Sequence, residues 1–191
     1  MIERLLEAGA DISLATPEGA TPLMFAARTG IPQAVNALLS HGAQPNAWES
    51  TRGQTALMWA AAEGHQQTVQ ILIQQGAEVE KRSNRGFTAF LFAARQGHIE
   101  VIRTLLAAGA DVNQFLPLRN TGRNSSPDET GPSALGLTVA NAHFELAAAL
   151  LDAGADPNYT WQGRTALHTI TWVRKPGAGS NDPAPSGSGT M

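Results

Sequence analysis

The chain has no cysteine among its 191 residues, which excludes disulfide bonds and thiolate metal sites. It also has no excess of basic residues, because 13 lysines and arginines stand against 16 aspartates and glutamates, for a formal net charge of −3. Broad affinity for nucleic acid usually needs a basic excess. The composition therefore argues against nucleic acid as the partner.

Long hydrophobic runs are also absent, since no apolar stretch approaches the roughly 18 residues of a membrane helix. We therefore expect no membrane insertion. The first ten residues, MIERLLEAGA, place Glu3 and Glu7 inside an apolar pattern and lack the apolar core of a signal peptide, so they predict a helix. The compartment stays open between the cytoplasm, which is the default expectation, and an exported location.

The most informative feature of the sequence is an internal repeat. Five Gly-Ala pairs follow two large aliphatic residues at the same distance, and they begin at Gly9, Gly42, Gly76, Gly109 and Gly154, which are 33, 34, 33 and 45 residues apart. A hydroxyl residue followed by proline or alanine keeps the same phase, at Thr21, Thr55, Thr88, Ser133 and Thr165. A chain that repeats at this period is typical of stacked supersecondary units.

Each marker has a local physical role. Thr21 and its equivalents stand where a helix should begin, and a hydroxyl there accepts a hydrogen bond from the first turn. Gly30 and its equivalents should end that helix, because glycine tolerates the left-handed conformation. A second helix carries Val35, Leu38 and Leu39 on one apolar stripe. Each unit is therefore predicted to be two antiparallel helices followed by an extended finger.

The stretches GATPLMFAARTG, GQTALMWAAAEGH, GFTAFLFAARQGH and GRTALH resemble ankyrin repeats. The resemblance implies an all-α solenoid of stacked helix-turn-helix units joined by hairpin-like finger loops. It covers residues 1–173, with an insertion at about 114–130, and is followed by a flexible Gly/Pro/Ser-rich tail at 174–191. Four units are near complete, at about 16–48, 50–81, 83–113 and 128–158, and half a unit stands at each end.

The sequence departs from the family pattern in two ways. The family's histidine after Thr-Pro-Leu is present only as His168, so the bond that ties adjacent fingers should be missing in most of the array. In the fourth unit Gly136, Thr138 and Val139 replace the usual residues of the first helix, so weaker packing is expected there.

Candidate chemistry is sparse. His65 and His98 occupy equivalent positions of successive units, but packed helices lie about 8–10 Å apart. Two zinc ligands must both lie about 2 Å from the ion, so these histidines are interpreted as part of the helix turns. The sequence has no G-x-S-x-G, no Walker loop and no H-E-x-x-H, so we expect neither a cofactor nor an active site.

In ankyrin-like arrays the fingers and first helices form a concave face that usually binds the partner. The resemblance places on that face Arg28, Arg52, Gln54, Trp59, Glu63, Arg85, Phe87, Arg95, Gln96, Trp161 and Arg164. Phe25, Trp59 and Phe92 each lie four residues after the start of a first helix. They either pack between neighbouring units or are partly exposed as anchors for the partner.

We therefore expect a non-catalytic, monomeric scaffold that binds a protein partner through its concave face. Arg52, Arg85 and Arg95 fall on neighbouring units and are expected to form one row, the arginine row. Such a row suits an acidic segment, because a planar guanidinium bonds carboxylates in pairs. Two alternatives remain. The chain is a regulatory or targeting segment of a larger protein whose activity lies elsewhere, or the arginine row binds RNA or another anionic ligand.

Overall fold

A computed structural model describes residues 1–117 and 130–171. Within these ranges the chain forms ten α-helices and two short β-strands. The helices are α1 (Ile2–Glu7), α2 (Pro22–Thr29), α3 (Pro32–Ser40), α4 (Ala56–Ala62), α5 (Gln66–Gln74), α6 (Ala89–Gln96), α7 (Ile99–Ala107), α8 (Ala134–Ala140), α9 (Phe144–Asp152) and α10 (Ala166–Ile170), and the strands are β1 (Phe115–Pro117) and β2 (Thr130–Ser133). No helix in the described ranges is both long enough and apolar enough to cross a bilayer.

The helices stack in two layers. The first helices of the units, α2, α4, α6, α8 and α10, pack side by side, and α1, α3, α5 and α7 form the second layer. The core lies between the layers and is built from small and aliphatic side chains such as Leu57, Ala60, Val69 and Leu72, each at most 1% exposed. A single helix pair buries little surface, so each unit is stabilised by its neighbours.

Hydroxyl caps begin the first helices, as the sequence predicts. The side-chain oxygens of Thr21, Thr55, Thr88 and Ser133 accept the backbone N–H three residues further on, at 3.4, 3.4, 3.2 and 3.1 Å respectively. Gly30 and Gly97 end α2 and α6 in the left-handed conformation, with φ of 67° and 83°.

Neighbouring fingers are joined through their backbones. The Ser50 N–H donates to the Glu18 carbonyl at 2.7 Å, and the Asn84 N–H donates to the Arg52 carbonyl at 2.8 Å. His168, the one match to the family's histidine, bonds inside its own turn, where its Nδ1 accepts the Thr165 N–H at 3.3 Å. Bonds between fingers therefore form at positions that do not depend on that histidine.

The insertion opens and closes on a short antiparallel ladder in which Phe115 of β1 lies opposite Ser133 of β2. The helices on either side, α7 and α8, are intact, so the insertion lies between them. The Phe115 carbonyl accepts a hydrogen bond from Arg82 Nη1 at 3.1 Å. Its ring stacks on Tyr159, with 6.1 Å between ring centroids. The predicted flexible tail at 174–191 and most of the insertion lie outside the described residues.

The fourth unit forms a full first helix despite its unusual sequence. Thr138 and Val139 are both buried in α8, and the Thr138 hydroxyl donates to the Leu135 carbonyl at 2.8 Å. Thr138 and Val139 are therefore accommodated in α8, and the threonine satisfies its hydroxyl within its own helix.

Candidate functional site

Two adjoining cavities lie where the fingers meet the first helices of the second and third units. The tryptophan cavity, of about 250 Å³, is lined by Arg28, Arg52, Gln54, Trp59, Ala62, Glu63, Phe92, Arg95 and Gln96. The arginine cavity, of about 190 Å³, is lined by Arg52, Gln54, Ser83, Arg85, Phe87, Phe92 and Arg95. Four residues are common to both cavities, so the two form one continuous depression.

Two kinds of element supply this lining. Trp59 lies on α4, and Phe92 and Arg95 lie one turn apart on α6, which places them on the same helix face. Arg52 and Arg85 come from the fingers that precede these helices, where they are exposed. The helices thus form the floor of the depression and the fingers form its rim.

Trp59 links two units and also lines the tryptophan cavity. Its ring system packs edge-to-face with Phe25 of the preceding unit, with 5.6 Å between centroids and an angle of 87° between the rings. The indole N–H donates to Gln54 Oε1 at 2.9 Å, and the Arg28 guanidinium lies 5.9 Å from the ring centroid. Trp59 is only partly buried. Packing between units and exposure to a partner, the two interpretations of Trp59, are therefore both compatible with its geometry.

Arg95 is held in place by two phenylalanines. Its guanidinium carbon lies 4.9 Å from the centroid of Phe87 and 5.2 Å from that of Phe92. The two rings also stack on each other at 4.8 Å. A guanidinium over an aromatic face is attracted by the ring quadrupole and keeps its N–H donors at its edge. The two rings therefore stabilise the position of the Arg95 guanidinium by cation–π attraction.

Positive charge in the depression is poorly neutralised. Arg28 Nε lies 3.9 Å from Glu63 Oε1, and both side chains are more than half exposed, so this ion pair contributes little. Among the described residues, Arg52, Arg85 and Arg95 have no acidic side chain within ion-pair distance. The arginine cavity therefore carries three cations with little local compensation.

Glu49 positions the finger of the second unit, the segment that precedes α4 and carries Arg52 and Gln54. The sequence alone did not indicate this role. The residue is 5% exposed. It accepts the N–H of Arg52 through both oxygens at 2.9 Å, and the N–H of Gln54 at 3.0 Å. The turn that carries both lining residues is thereby fixed. The sequence signal was weak, since an acidic residue at the start of ESTRG has the appearance of a solvated finger residue.

Three histidines form hydrogen bonds between successive units. Nε2 of His65, His98 and His143 lies 3.0, 3.0 and 3.1 Å from the carbonyl oxygens of Arg28, Ala62 and Arg95 respectively. Each ring covers the glycine that ends the previous first helix, namely Gly30, Gly64 and Gly97. In the described part of the chain, no group of three or more His, Asp or Glu side chains is placed to hold a metal ion.

The predicted site residues divide into two groups. Nine of the eleven line the tryptophan cavity, the arginine cavity or both. Trp161 and Arg164 instead lie in the last finger, where their backbones exchange hydrogen bonds of 2.9 and 3.0 Å, and neither lines either cavity. The structure thus gathers most of the predicted face around the second and third units.

Apolar grooves lie at both ends of the array. The N-terminal groove, of about 410 Å³, is formed by α1, α2 and α3 and includes Leu5, Phe25 and Ile31. The C-terminal groove, of about 430 Å³, is formed by α8, α9 and α10 and includes Leu151 and Leu167. They occupy the places where a first helix would pair with α1 and a second helix would pair with α10.

Stacked helix pairs, extended fingers and a polar depression across successive units define a helical-repeat scaffold. The chain belongs to the ankyrin-repeat family, because the family model for ankyrin repeats (3 copies) matches residues 1–83 and 46–116. Ankyrin repeats generally mediate protein–protein interaction and are generally non-catalytic. A search of the curated proteins finds no match to this chain.

Proposed function

We propose that the chain is a non-catalytic scaffold whose partner is a protein with an acidic segment. The segment lies across the second and third units, in the depression formed by the tryptophan and arginine cavities. The observation that carries the proposal is the set of arginines there, since Arg52, Arg85 and Arg95 line the depression and none of them has an acidic side chain within ion-pair distance among the described residues.

The surroundings of these arginines support an interface. Aromatic and arginine side chains are enriched among residues that dominate binding energy. The depression combines both, with Trp59 on one side and Arg95 on the Phe87–Phe92 pair on the other. A planar guanidinium also binds carboxylates through paired hydrogen bonds. An acidic segment therefore matches both the charge and the donors of this surface.

Single-stranded RNA fits this surface less well. RNA binding uses open aromatic faces on which bases stack. Here Phe87 and Phe92 stack on each other beneath Arg95, and Arg28 lies beside the Trp59 ring. The chain is also acidic overall, with a formal net charge of −3. These features favour a protein partner.

The test begins with affinity capture and mass spectrometry to identify a partner, followed by calorimetric titration with variants. Arg52→Ala and Arg85→Ala should each weaken binding by about 30-fold, the loss expected when a central arginine is removed. Both side chains are exposed, so the free energy of unfolding should change by only about 0.5 kcal/mol.

The matched control is Arg103→Ala, which removes the same charge from the second-helix layer, where Arg103 pairs with Glu100. It should leave binding unchanged. If Arg52→Ala and Arg85→Ala bind the partner normally while Gln67→Ala or Gln70→Ala on α5 abolishes binding, the partner lies on the second-helix side and the proposal is wrong.

A further inference from the structure

We infer that the arginine cavity is a subsite for a phosphorylated side chain of the protein partner. This inference rests on the proposed function and specifies the group that the cavity binds. The cavity is the part of the depression, about 190 Å³ in volume, that lies between the fingers of the second and third units, and its size admits one compact anionic group.

The charge of the lining favours a dianion over a single carboxylate. Arg52, Arg85 and Arg95 all line the cavity, and none of the lining residues that the structure describes is an aspartate or glutamate. One carboxylate neutralises one of these three cations and leaves two in proximity. A phosphoryl group carries about −1.5 to −2 charges at neutral pH and presents three acceptor oxygens. It therefore compensates the cavity more completely.

The polar groups of the lining are oriented as donors. The Trp59 indole N–H can only donate, so Gln54 must direct its Oε1 to Trp59, at 2.9 Å. The Gln54 amide NH₂ is then the end left for another acceptor, and Gln54 lines both cavities. Arg95 has cation–π contacts with Phe87 and Phe92 and no acidic side chain within ion-pair distance among the described residues, so its N–H groups can donate to a ligand. A donor-rich cavity of this kind requires an acceptor-rich ligand.

The finger backbones that carry these donors are also held in place before a ligand arrives. Glu49 fixes the turn that carries Arg52 and Gln54 through bonds to their backbone N–H groups. The next finger is joined to this one through the hydrogen bond from the Asn84 N–H to the Arg52 carbonyl at 2.8 Å. Ordering costs on binding are thereby reduced, which favours a specific subsite over diffuse attraction.

The experiment uses fluorescein-labelled Gly/Ala peptides of one length with a central phosphoserine, phosphotyrosine, glutamate or serine, titrated by fluorescence anisotropy. Either phosphopeptide, or both, should bind at least about tenfold more tightly than the glutamate peptide, in line with the greater strength of added charge-assisted hydrogen bonds. Arg85→Gln should reduce that affinity by about tenfold, whereas Arg103→Gln should leave it unchanged. Equal affinity for the phosphopeptides and the glutamate peptide would overturn the inference.

Two further arms separate this inference from its rivals. An oligouridylate that binds more tightly than the phosphopeptides, with the same dependence on Arg85, would replace it with RNA recognition. Phosphatase treatment of the captured partner should abolish capture. If capture depends on Arg85 but survives phosphatase, the proposed function stands and the phosphoryl subsite is wrong. If neither Arg52→Ala nor Arg85→Ala affects capture of the partner, the proposed function itself fails.

Discussion

The carboxylate of Glu49 is buried beneath the second finger and accepts the backbone N–H groups of Arg52 and Gln54. Glu49→Ala should lower the free energy of unfolding by about 1–3 kcal/mol, because it leaves these N–H groups without their acceptor. Glu49→Gln should cost less, since one amide oxygen still accepts. Urea denaturation measures both changes. Glu18→Ala, an exposed finger glutamate, is the control, and equal stability of the two alanine variants would contradict the assigned role.

Trp59 is the second residue whose role is testable alone, because it takes part in both packing and the depression. Trp59→Ala should lower the free energy of unfolding by about 2 kcal/mol, less than full loss of a buried aromatic, and should also weaken partner binding. Trp48→Ala is the matched control, since Trp48 is 59% exposed and contacts the Lys81 ammonium at 5.0 Å from its ring centroid. Unfolding and titration curves that match those of the control would show that Trp59 has neither role.

At the scale of helices, the contact between a histidine and the glycine of the previous unit determines how closely units approach. A Cβ on Gly64 would lie 2.6 Å from His98 Nδ1, and Gly64 has a φ of 78°. Gly64→Ala should therefore lower the free energy of unfolding by about 1 kcal/mol for backbone strain and by about 1–3 kcal/mol more for overpacking. Thermal or urea unfolding measures the total.

Gly76→Ala separates these two contributions. Gly76 has a similar φ of 85°, but nothing lies within 4 Å of its added Cβ, so this variant should show the backbone strain alone. The double variant Gly64→Ala/His98→Ala removes the clash and should be less destabilised than the sum of its single variants. Additive effects would show that the histidine ring is not what limits the approach of the units.

At the scale of the whole molecule, stability accumulates between neighbours, and the two ends expose what an additional half unit would cover. Leu5, Phe25 and Ile31 in the N-terminal groove are 54%, 46% and 52% exposed. A designed finger and first helix placed before residue 1 should cover them and add about 2 kcal/mol of stability. The melting temperature should rise by about 4–8 °C.

The control for this extension is the same added segment with aspartate and lysine at the positions that face the groove. It should leave the melting temperature unchanged, because it offers no apolar surface to bury. An equal rise with both segments would mean that the added chain acts in some other way. An unchanged melting point with both would mean that the N-terminal groove is not a source of instability.

Local interactions made much of this protein predictable from its sequence. Thr21, Gly30 and their equivalents act within one turn of the chain, and their phase alone indicates the helix pairs, the fingers and the family. Once the family is known, the finger and first-helix positions follow, and most of the predicted face indeed borders one depression.

Tertiary structure decided what depends on residues brought together from separate units or on the conformation of a finger. The guanidinium of Arg95 rests on Phe87 from a finger, and the ring of Phe115 stacks on Tyr159, 44 positions further along. Periodicity specifies which face a residue occupies but not which neighbours its side chain meets, because those contacts depend on rotamers and on the spacing between units. The burial of Glu49 and the separation of Trp161 from the cavities were likewise decided by tertiary structure, for the same reason.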